Sequence, residues 1–103
     1  MTRERIHELA DLVIDFNEKA VQLDEHDIRV SLEVDGRYNS GRVWIYTGIG
    51  SAKACSYTYM FNPDCITYPD TVKNKDIYDP NYEKAEAHIR ALIAIMEAGN
   101  DTR

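Results

Sequence analysis

Cysteine is nearly absent from this chain, with only Cys55 and Cys65 in 103 residues. The opening stretch MTRERIHELADLV is broken by acids, so it does not read as a secretory signal. The two cysteines therefore read as free thiols in a reducing cytosol. Long apolar runs are also missing. None approaches the ~20 residues a membrane helix needs. Basic residues are under-represented, with 12 Lys and Arg against 18 Asp and Glu and a net charge of −6. Phosphate backbones and lipid headgroups repel such a surface, which disfavours direct nucleic-acid or membrane binding and favours a basic protein partner.

Chemical motifs are sparse as well. His7, His26 and His88 lack the i,i+4 spacing of a helical metal site, and neither cysteine has a close-spaced partner. There is no Ser-His-Asp pattern and no nucleophile elbow. The expectation is a non-catalytic protein with no metal and no cofactor. Gly48-Ile49-Gly50-Ser51-Ala52-Lys53 has glycines and a lysine, but a phosphate loop must open a helix, and strand-like Cys55-Ser56-Tyr57-Thr58-Tyr59 follows. Those glycines read as a hairpin turn.

What is present is patterned. Ile6, Leu9, Val13, Phe16, Ala20 and Leu23 recur every three or four residues, predicting a helix over 3–24 that Thr2 caps. From Ile28 to Val34 the apolar period becomes two, which predicts a strand. Residues 42–47 and 54–61, rich in β-branched and aromatic side chains, predict two more. The 28–61 stretch is thus an antiparallel meander. Residues 62–79, with their prolines, read as a long loop in which Cys65–Tyr68 could add a short edge strand. Asp79-Pro80 reads as an N-cap followed by a first-turn proline, opening a helix over 80–98 that Gly99 ends. The predicted fold is one compact α+β domain of order α-β-β-β-α. Its sheet is antiparallel with three strands, or four if the edge strand forms, and both helices pack on one face.

That order is similar, over the whole chain, to double-stranded-RNA-binding domains. The family presents basic residues at the start of its last helix. Here the matching stretch is Asp79-Pro80-Asn81-Tyr82-Glu83-Lys84, whose charge does not suit RNA.

Two surfaces stand out. Glu4, Glu8, Asp11, Asp15 and Glu18 step by four, three, four and three residues, so they form one stripe opposite the apolar face of the first helix. At 1.5 Å rise per residue the stripe is about 21 Å long. Carboxylates in a row engage the same Lys and Arg side chains that phosphates do. Asp64, Asp70 and Asp76 could widen it. The second surface is aromatic. Trp44 and Tyr46 share one side of their strand, on the face away from the helices, while Tyr57 and Tyr59 lie either beside them or inward. The expected function is an acidic module that occupies the nucleic-acid groove of a basic partner. In size and charge the chain resembles small acidic inhibitors carried by phages, including some anti-CRISPR proteins and nucleic-acid mimics. Two alternatives remain open. One is a homodimer or larger self-assembly through the aromatic face. The other is a ligand-binding protein or enzyme whose pocket lies under 62–79 and is lined by Tyr68, Tyr78, His88 and a cysteine.

Overall fold

The computed structural model describes residues 2–35, 40–61 and 73–101. The order is α1 (Arg3–Gln22), β1 (Ile28–Asp35), β2 (Ser40–Thr47), β3 (Cys55–Met60), β4 (Lys73–Tyr78) and α2 (Glu83–Asp101). The strands form one mixed sheet in that spatial order. β1, β2 and β3 are antiparallel, and β4 lies parallel to β3. The purely antiparallel, three-stranded expectation is therefore corrected, and with it the match to an α-β-β-β-α order. The added strand is 73–78, within the stretch read as loop. Cys65–Tyr68, expected to supply an edge strand, lies outside the described residues. Parallel neighbours cannot be joined by a tight hairpin.

α1 forms where the period of 3.6 predicts it. The Thr2 hydroxyl accepts from the Arg5 N–H at 3.2 Å. At the other end Asp24 takes a left-handed φ of 55°. Its N–H bonds the Val21 carbonyl, and the Glu25 N–H bonds that of Ala20. This is a Schellman stop made with Asp instead of Gly.

The start of α2 differs from the expectation. Asp79 and Pro80 are not its first residues. Tyr82 N–H bonds back to the Asp79 carbonyl in a turn, and Glu86 N–H to the Tyr82 carbonyl makes the first helical bond. Asp79 still caps the helix, because its buried carboxylate accepts from the Ala85 N–H at 3.0 Å. The far end also runs on, since Gly99 lies inside α2.

Both helices cover one sheet face. Leu9, Leu12, Val13, Phe16 and Ala20 of α1 meet Val30, Val43, Ile45 and Tyr59 of the sheet and Ala85, Ile89, Leu92 and Met96 of α2. The helices lie side by side and run in the same direction. Arg5 pairs with Glu86 near their starts, and Lys19 with Glu97 near their ends.

The β2–β3 link is the hairpin expected. Gly48 and Gly50 have φ of 65° and 81°. Ser51 bonds the Gly48 carbonyl through both its N–H and its hydroxyl.

Candidate functional site: an acidic two-helix face

The α1 stripe forms as a single feature. Glu4, Glu8, Asp11, Asp15 and Glu18 are all exposed, while Leu9, Leu12, Val13 and Phe16 are buried. Glu8 touches the Arg5 guanidinium at 3.1 Å. The other four carboxylates make no ion pair among the described residues. α2 extends the surface in a way the sequence alone did not reveal. Because α2 runs beside α1, Glu83 and Glu86 line a depression at the helix starts with Arg5, and Glu97 lines a second one farther along with Asp15, Glu18, Lys19 and Arg90. The missing signal was helix direction, which no local pattern carries.

Arg5 fastens this face at its N-terminal end. Its guanidinium donates to Glu86 at 2.7 Å, to the Asn81 carbonyl at 2.9 Å and to the Tyr82 carbonyl at 3.2 Å. Burial works against the charge on Arg5, but Glu86 and Glu8 outweigh it and raise its pKa. The same pair holds the Glu86 carboxyl below its usual range, chiefly through the Arg5 hydrogen bond and despite some burial.

The aromatic surface is divided rather than shared. Strand register sets Trp44 opposite Thr58 and Tyr46 opposite Ser56, on the face away from the helices. Both are partly buried there, with the Arg42 guanidinium 5.8 Å from the centre of the Trp44 ring. Tyr57 and Tyr59 pair with Ile45 and Val43 and point toward the helices. Of the two placements left open for Tyr57 and Tyr59, this alternation selects the inward one. Asp76 is exposed and sits in register with Thr58, on the Trp44 side. It therefore does not widen the α1 stripe, which lies across the sheet. Asp64 and Asp70 lie outside the described residues.

Tyr57 and Tyr59 enclose His88 of α2. The Tyr59 hydroxyl and His88 Nδ1 are 2.7 Å apart, and Tyr57 meets the imidazole edge-on at 4.7 Å. Burial lowers the pKa of His88. Tyr59 is raised first by burial and then by the charge of Asp79, and Tyr57 first by its hydrogen bond with Cys55. Lys75 lies 5.2 Å over the Tyr57 ring. Among the described residues no buried side-chain nitrogen or oxygen is left without a hydrogen-bond partner, which suits a core boundary. A pocket combining Tyr78 with His88 does not form, because register puts Tyr78 on the opposite sheet face. Tyr68 lies outside the described residues. Among the described residues no helix is long and apolar enough to cross a membrane.

Compared with protein-family models, curated proteins and solved structures, the chain matches none.

Proposed function

We propose that the chain is an acidic, non-catalytic binding module whose two-helix face occupies a basic, nucleic-acid-handling groove on another protein. The observation that carries this reading is the α1 stripe: five exposed carboxylates in one line, four of them with no ion-pair partner among the described residues. Magnitude narrows the mimicry. Five charges over 21 Å is one per about 5 Å, against one phosphate per ~3.4 Å along a single strand and ~1.7 Å along a duplex. The ridge alone therefore resembles a sparse single strand. The acids of α2 add little to that density, because Glu86 pairs with Arg5 and Arg90 and Glu97 pairs with Lys19.

Replacing Glu8, Asp11 and Asp15 together by lysine tests this reading. α1 stays folded, since these side chains are exposed and lysine is a good helix former. A partner captured from lysate by the wild-type chain is expected to be a nucleic-acid-binding protein, to be released by added DNA or RNA, and to be lost with the triple variant. Rising salt should weaken the same complex, because exposed charges are screened over about 10 Å at 0.1 M. Capture that is unchanged by the three lysines would reduce the ridge to ordinary solvated surface.

A further inference from the structure

Among the described residues β1 forms one edge of the sheet. The opposite edge, β4, carries Lys73, Lys75 and Asp76 among its six residues. Charge of that kind is how proteins discourage strands from adding to an edge. β1 has eight residues, IRVSLEVD, with no lysine, proline or glycine, and its own charges, Arg29, Glu33 and Asp35, are of both signs.

Its outward backbone groups can be identified. The Val30 carbonyl accepts from the Asn17 side chain of α1 at 3.3 Å, so it points away from β2. In an antiparallel ladder alternate residues aim both backbone groups to the same side. Ile28, Leu32 and Val34 therefore share the outward direction of Val30.

We propose that this edge binds a second copy of the chain, with the two β1 strands antiparallel about a two-fold axis at Ser31. That axis sets Val30 opposite the partner's Leu32 and Ile28 opposite the partner's Val34, so outward groups meet outward groups. It also sets Arg29 opposite the partner's Glu33, twice by symmetry. The sequence of β1 is thus complementary to itself in charge, in apolar side chains and in hydrogen-bonding phase. Arg29 and Glu33 are exposed and make no ion pair among the described residues. The Val30 carbonyl has a second lone pair, so the Asn17 contact does not close the edge.

A second observation points the same way. Ile14, Asn17 and Val21 lie at i, i+3 and i+7, one side of α1. Asn17 fixes that side over the β1 edge. Ile14 is 52% and Val21 82% exposed. A two-fold axis at Ser31 brings the two α1 helices side by side and antiparallel on one face of an eight-stranded sheet, so that Ile14 of one helix lies toward Val21 of the other. The acidic stripe runs along the outer side of α1, and Glu18 is its member bordering the Ile14–Val21 patch, so the dimer carries two ridges.

The test is sedimentation equilibrium of the full chain from micromolar to near-millimolar concentration. A reversible dimer is expected. Arg29→Glu sets like charges opposite each other at two symmetric points and should weaken the dimer on the order of ten-fold. Arg29→Glu combined with Glu33→Arg restores opposite charges and should recover it. Val34→Pro removes an outward N–H without touching the β2 ladder, and should also weaken it. Far-UV circular dichroism checks that each variant folds. A chain that stays monomeric throughout overturns the proposal. So does a dimer indifferent to Arg29→Glu, and so does a folded double variant that fails to recover the dimer.

Discussion

Tyr82 shows how much one side chain can hold. It is fully buried, and its φ of 54° places a bulky residue in the left-handed region, where L side chains are strained. The hydroxyl donates to the Gly41 carbonyl and accepts from the Phe61 N–H at 3.0 Å. One phenol thus ties the start of α2 to β2 and to the end of β3. Tyr82→Phe keeps the ring but leaves a buried carbonyl and an N–H unanswered. It should cost roughly 2–3 kcal/mol, read as a lower urea midpoint with an unchanged slope. Gly41 is held to glycine by the same crowding, since a Cβ there would lie 2.4 Å from the Glu33 carbonyl oxygen of β1. Neither role was legible in the sequence. Tyr82 sits in a run of polar residues, and its partners lie 21 and 41 positions away. The alternating faces of β1 and the buried stripe of α1 were legible, because each follows from a local period.

At the scale of elements, the helices and the meander follow from pattern, while β4 and the start of α2 do not. β4 reads KNKDIY and has no alternation. Ile77 packs partly buried against the core, and an edge strand that buries so little apolar surface leaves little periodic signal. The α2 start departs from its local signal: Asp-Pro is a good opening pair, yet the chain makes a turn there first. The cap itself is real. Asp79→Ala should remove the acceptor for the Ala85 N–H and destabilise the protein by about 1–2 kcal/mol. The loss should appear in thermal unfolding together with faster amide exchange in the first turn of α2. The five-carboxylate stripe was readable from spacing alone, because helical geometry fixes it. Its continuation on α2 was not, because that depends on how two distant helices pack.

For the whole molecule, two depressed pKa values contribute to how stability responds to acid. His88 is held below its ordinary 6.5 by burial. As pH falls through 6.5 the unfolded chain takes up that proton before the folded one, so stability is lost below this point. Glu86 is held below its ordinary 4.5 by the Arg5 hydrogen bond. Its contribution is present above 4.5 and is lost at lower pH by the same reasoning. Melting temperature should therefore fall in two stages on acidification, one beginning near 6.5 and one near 4.5. His88→Gln should flatten the upper stage only. An unaltered upper stage in that variant would show that the imidazole does not govern it.

The common direction of α1 and α2 has an electrical result. Peptide dipoles in neighbouring helices that run alike reinforce each other, leaving about half a positive charge at each start and half a negative charge at each finish. Glu4 offsets the first of these starts, and Glu83 and Glu86 the second. At the other end α1 has only Lys19 in its last turn, and α2 has no basic residue there. The negative potential is therefore graded along the two-helix face, deepest where the helices end. A cationic protein drifting toward it meets a gradient, and so acquires a preferred heading before any side chains touch.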